Sequence, residues 1–228
     1  MTTSRPALRG PEFIALAAFM MSVFALSIDI TIPALALIGR DLAVAGANDA
    51  QYIVSVLVLG MAVGQIFYGP LSDSIGRKPS IYVGLGLFSA GSIISLVASD
   101  FPTMLAGRFL QGLGAAGPRI VIMALVRDQF AGPAMARIMS LVITVFVAVP
   151  MVAPFIGQGI LFVATWRYVF VLLLIASLLV LVWFAVRQPE TLAREARRPL
   201  AFRPIAAATR EILASRPALG FAFGAIFG

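Results

Sequence analysis

An acid placed where lipid should be is the side chain in this chain best suited to chemistry. Asp29 lies inside the apolar run from Phe13 to Ile38, nearer its far end than its start. A charge near the centre of a membrane helix costs about 2.5–3.5 kcal/mol on insertion scales, so it needs a cavity or a partner. Pro33, four residues on, has no N–H to offer the Asp29 carbonyl, which weakens the helix beside the acid. Reversible protonation or cation binding fits this setting; the structural alternative is an acid that is permanently paired. The chain has no histidine and no cysteine. Thiol nucleophiles, Ser–His proteolysis and His-based zinc centres are therefore excluded, and any proton handled inside the membrane falls to a carboxylate. No enzymatic activity, cofactor or metal is expected.

A second group lies in the run 103–126. Arg108, Gln111, Ala115 and Arg119 are spaced three, seven and eleven residues from the first, which keeps them on one helical face. The two arginines are then about 16 Å apart along the axis. A face so polar or small is expected to line the interior of a bundle, with Pro118 marking an expected kink. Each arginine has two readings, a substrate- or proton-coupled cation or a donor to carbonyls of a neighbouring helix. For Arg119 the two stand level. Pro150, Pro154 and Gly157 mark one face of a later run, where small residues allow close helix contact. Gly60 and Gly64 form a small-xxx-small pair that suits packing.

The third group connects two apolar runs. Gly69-Pro70-Leu71-Ser72-Asp73-Ser74-Ile75-Gly76-Arg77-Lys78-Pro79 holds one acid, two bases, two glycines and two prolines. It reads as a short, tight, charged turn at a membrane face that fixes two helix ends.

These residues need elements to hold them, and composition supplies the class. With 61% hydrophobic and 12% charged residues, the chain is far from an average soluble domain. Six runs, near 13–38, 52–72, 80–98, 103–126, 138–163 and 166–186, each reach the length of about 20 residues that crosses a bilayer core. The first is too long for a signal-peptide core and reads as a retained helix. The fold class is an all-α polytopic membrane protein. The net charge of +7 is topological. With the N-terminus inside, Arg5, Arg9, Arg77, Lys78, Arg127, Arg137 and every arginine from Arg187 to Arg216 lie on the cytoplasmic side, against Arg40 and Arg167 outside. Anionic lipid headgroups, and no nucleic acid, are the partners this implies. Residues 1–12 read as a cytoplasmic N-terminus and 187–217 as a cytoplasmic linker with one short amphipathic helix near 203–214. Residues 218–228 read as the truncated start of a seventh span, which makes the chain the front half of a longer protein.

The charged connection, Gly69-x-Leu71-Ser72-Asp73-x-x-Gly76-Arg77-Lys78-Pro79, resembles the signature loop of the major facilitator superfamily. Arg108-x-x-Gln111-Gly112 resembles that family's fourth-span motif, and Ala153-Pro154-Phe155-Ile156-Gly157 is similar to its antiporter motif. Asp29-Ile30-Thr31-Ile32-Pro33, with Arg127-Asp128 closing the fourth run, is most similar to the bicyclomycin/chloramphenicol-resistance (Bcr/CflA-type) drug:proton antiporters. Ser74 stands where the loop pattern has a base, and Ala153 and Gln158 replace two glycines of the antiporter pattern. The resemblance implies the six-helix N-terminal half of a twelve-helix fold in a bacterial inner membrane, working with a C-terminal half beyond this chain. It further implies a cytoplasmic gate of Gly69, Asp73, Gly76 and Arg77, with Asp128 as partner. Asp29 would be the protonation and cation-binding acid, tuned by Arg108. The function implied is proton-coupled efflux of hydrophobic drug-like small molecules. The alternatives are a carrier of a specific metabolite, an anionic one included, and a non-transporting truncated fragment or scaffold.

Overall fold

The computed structural model describes residues 10–44, 46 and 48–200. The expected helix near 203–214, the seventh-span start at 218–228 and the first nine residues lie outside them. Among the described residues every regular element is helical: α1 (Gly10–Asp29), α2 (Leu35–Asp41), α3 (Tyr52–Ile75), α4 (Arg77–Val97), α5 (Phe101–Gln129), α6 (Gly132–Val163) and α7 (Arg167–Arg187), with three short 3-10 turns. Six stretches are long and apolar enough to cross a membrane, α1 and α2 together forming the first. The helices overrun most of the apolar limits, because a helix continues into the polar interface until something caps it. At α5 the stop signal is visible: the Asp100 side chain accepts from the Thr103 amide at 2.8 Å, satisfying a free N–H of the first turn.

The first span is broken where Pro33 demands it. α1 ends at Asp29, a 3-10 turn covers Ile32–Ala34, and α2 resumes at Leu35. Thr31 helps close the break by donating its hydroxyl to the Ser27 carbonyl at 2.9 Å.

α5 is the hub. α3 packs on one side of it and α4 on another, each brought close by glycines. A side chain at Gly64 would lie 2.7 Å from the Ala116 methyl and 2.8 Å from the Leu113 carbonyl. The Gly60–Gly64 pair is therefore a packing device. α6 rests on α1 instead, and few of its residues are buried: Ile138, Val142, Ala153 and Gly157. Gly157 meets the Ile30 carbonyl with no room for a methyl. Pro150, expected on the same packing face, is exposed, and Pro154 is half-buried. The residues buried on this part of α6 are Ala153 and Gly157, one turn apart. Pro118, Pro150 and Pro154 all lie inside unbroken helices.

Candidate functional site

The charged connection is the largest departure from the sequence reading. It is almost entirely helix: α3 runs through Pro70 to Ile75 and α4 starts at Arg77, leaving Gly76 alone between them. Gly76 has φ 110° and ψ 162°, a conformation that side chains disfavour strongly. Pro79 falls in the first turn of α4, where no intrahelical N–H is lost. The turn is thus one residue, and its charges sit on two helix ends.

Arg77 organises this end. Its Nη1 lies 2.5 Å from Asp73 Oδ1 and donates to Ser72 Oγ at 2.8 Å, while Nε donates to Asp128 Oδ2 at 3.1 Å. The guanidinium fork thereby ties α3 to the last turn of α5 through its own helix, α4. Arg77 is buried, whereas the Asp73 side chain is 49% exposed. A side chain at Gly69 would meet open space, and its carbonyl accepts from the Ser72 hydroxyl at 2.9 Å.

Glu190 was not expected here. Its carboxylate accepts from the Arg77 and Lys78 amides at 3.0 and 3.1 Å, capping α4 from outside. Lys78 answers by donating its Nζ to the Ala185 and Gln188 carbonyls at 2.9 and 2.8 Å, at the end of α7. Each residue supplies the charge that the opposite helix terminus favours. The segment after α7 therefore folds back over the Arg77 cluster; the Arg198 amide also bonds the Asp73 carbonyl at 3.0 Å. Its one sequence signal was an acid directly after a span, on the face holding the α4 N-terminus. A further tie, also unforeseen, joins the same ends of α1 and α7: Arg187 grips both Glu12 oxygens at 2.6 Å. At the opposite end Trp166 donates to Asp41 at 2.7 Å, beside the 3.7 Å Arg167–Asp41 pair.

Deeper in the bundle, Arg108 is completely buried without a carboxylate. Nε donates to the Ile53 carbonyl at 3.1 Å, Nη2 to the Ser27 carbonyl at 3.0 Å and Nη1 to Gln111 Oε1 at 2.6 Å. Gln111 passes the chain on to Ser92 Oγ at 2.7 Å, and Ser92 to the Phe88 carbonyl. The ring of Phe170 lies 5.7 Å from the guanidinium. Because the Ser27 carbonyl also receives Thr31, Arg108 clamps the first span just before its break.

Asp29 is half-buried and makes no hydrogen bond or ion pair among the described residues. It lies two residues, some 200° of helix, from Ser27 and so faces away from Arg108. Arg108 reaches the Asp29 region through backbone, and no direct contact joins the two side chains. Ser22 and Leu26, seven and three residues earlier, share the face of Asp29. They help line an apolar groove of about 590 Å³ between α1 and α6, with Phe19, Val149 and Ala153.

Arg119 is placed differently again. It is half-buried, its Nη1 3.9 Å from the Met61 sulfur, with the rings of Phe24 and Phe146 each 5.9 Å from its guanidinium carbon. The expected common face of α5 holds for burial, but the two arginines serve separate surroundings.

A broken first span, a fourth span with a buried Arg–Gln pair, and a one-residue charged link between spans two and three form one constellation. It coincides with a family-wide match: the description Major Facilitator Superfamily fits residues 17–228. The chain belongs to the major facilitator superfamily. It is a multi-pass membrane protein of a transporter family rather than of an enzyme family. Among its relatives, an uncharacterized transporter of this superfamily from Bacillus subtilis, YdgK, is 33% identical over 93% of this chain and 54% of its own length. A bicyclomycin resistance protein homolog of Haemophilus influenzae is 33% identical over 88% of the chain and 52% of its own. The multidrug resistance protein MdtL of Salmonella dublin is 32% identical over 88% and 49%. The chain spans about half the length of these curated relatives. Among solved structures, the human organic anion transporter MFSD10 superposes with a TM-score of 0.66 at 18% identity, covering 89% of this chain and 53% of that one. At that identity the likeness is one of fold.

Proposed function

We propose that this chain is the N-terminal half of a proton-coupled exporter of hydrophobic drug-like molecules in a bacterial inner membrane, with its N-terminus in the cytoplasm. It would work by alternating access with a second six-helix half. One observation carries the reading: Asp29, an acid without a side-chain partner among the described residues, sits at the break of the first span, on the helix face whose earlier residues Ser22 and Leu26 line an apolar groove. An unpaired carboxylate in a membrane span is costly when charged and is relieved by a proton or a cationic group. Proton and substrate would compete for it. Arg108 would position the break through the Ser27 carbonyl, and the Asp73–Arg77–Asp128 cluster would hold the cytoplasmic end shut in one state. The names of the Haemophilus and Salmonella relatives support drugs as the cargo.

The test is substrate-driven proton release from liposomes holding the protein as encoded, wild type against Asp29→Asn. Loss of proton release with substrate binding retained is the expected result. Undiminished coupling in the variant would remove Asp29 from the mechanism.

A further inference from the structure

The clearest unclaimed group in the molecule is Arg119. It is a cation inside a membrane-spanning helix, and among the described residues it has no carboxylate and no oxygen acceptor. Its recorded neighbours are a thioether sulfur and two aromatic rings. Arg108 is the internal comparison: buried on the same helix, it is satisfied by two carbonyls and an amide oxygen. Among the described residues Arg119 has no such set, so the helices packed around it do not explain it as a donor between them.

Four acids among the described residues are committed elsewhere. Glu12 is held by Arg187, Asp41 by Arg167 and Trp166, and Asp73 and Asp128 by Arg77. Asp29 lies five residues beyond Phe24, the α1 residue that touches Arg119, and is turned about 140° from it around the helix. The guanidinium therefore meets α1, α3 and α6 through Phe24, Met61 and Phe146, and none of the three brings a charge. Rings stationed beside a guanidinium favour the cation and leave its N–H edge free. That edge is a fork matched to a planar, two-oxygen anion.

We infer that Arg119 is a substrate-recognition residue that selects hydrophobic cargo bearing a carboxylate, the aryl part lying against Phe24, Phe146 and Met61. This rests on the transporter reading and narrows its substrate class to aryl carboxylates; with such a cargo, direct competition at Asp29 gives way to two separate sites, Asp29 on the other side of α1 taking the proton and Arg119 the substrate.

The test is calorimetric binding of three probes of one shape, naphthoate, naphthamide and naphthylmethylammonium, to the protein as encoded in detergent. Wild type should bind naphthoate at least about tenfold more tightly than naphthamide, the lower end for a charge-assisted pair. Arg119→Gln should abolish that preference and leave naphthamide affinity unchanged, and Arg119→Lys, which keeps the charge without the fork, should retain part of it. The inference is overturned by equal binding of the three probes to wild type, or by a naphthoate preference that survives in Arg119→Gln. Equal weakening of all three in that variant would also overturn it, assigning Arg119 to structure. If Arg119→Gln does not fold, full naphthoate preference in Arg119→Lys supports recognition of charge, and none overturns it. The two readings fail separately: naphthoate selectivity without proton release would sink only the antiport reading. Proton release with binding indifferent to Arg119 would sink only this one.

Discussion

Replacing Glu190 isolates what the returning segment does for the Arg77 cluster. Its carboxylate accepts the amides of Arg77 and Lys78 at the start of α4 and those of Thr191 and Leu192 in its own turn. Glu190→Ala removes all four bonds and a negative charge from a helix N-terminus. Losing a cap of this kind costs about 0.5–2 kcal/mol, and a bond to a charged group is worth about 1.5–3 kcal/mol when water cannot replace it. The side chain is 26% exposed, so water recovers part of that, and about 2 kcal/mol is the reasoned total. For a domain of this size that lowers the midpoint of thermal unfolding by about 4–8 °C. Glu190→Gln keeps an acceptor but gives up the charge at the helix end, worth about 0.3–1 kcal/mol, and should fall by less than half as much. The assay is thermal unfolding of the purified protein in detergent, followed by tryptophan fluorescence. Midpoints for Glu190→Ala within a degree or so of wild type would refute the capping argument, and with it the claim that this segment braces the junction of α3 and α4.

Two further outcomes follow from the same end of the molecule. Arg77→Lys keeps a charge but cannot reach Asp73, Ser72 and Asp128 together, so it should lose about 1.5–3 kcal/mol of stability and raise passive proton leak in liposomes. Gly76→Ala puts a methyl 2.5 Å from Glu190 Oε2 in a positive-φ conformation, at a cost of about 1–3 kcal/mol; thermal unfolding should show the loss, and no change would mean the turn has an alternative path.

Much of the architecture was legible because the physics is local. An apolar run of the right length is a span wherever it occurs, and Pro33 removes a hydrogen bond whatever surrounds it, so the break beside Asp29 could be read directly. Arg108 was readable as an interior residue, but its partners were not, since the carbonyls of Ser27 and Ile53 carry no mark in the sequence. Glu190 was hidden for the opposite reason. It stands in a polar stretch that looks like linker, and only the fold brings it to an α4 terminus more than a hundred residues away. The one-residue turn at Gly76 was missed because two prolines and two glycines suggest a loop, whereas Pro70 is carried inside α3 and Pro79 sits in the first turn of α4. Pro150 and Pro154 misled in the same way: the residues buried on that part of α6 are Ala153 and Gly157.

The single residue between α3 and α4 also has a mechanical consequence. With no slack at Gly76, the adjoining ends of these two helices are pinned together, and a displacement applied there is carried along both shafts. α3 is 24 residues long, a lever arm of about 36 Å, so a tilt of about ten degrees would sweep its far end through about 6 Å. A small rearrangement of charges at one membrane face is thereby geared up to a movement larger than a water molecule at the other.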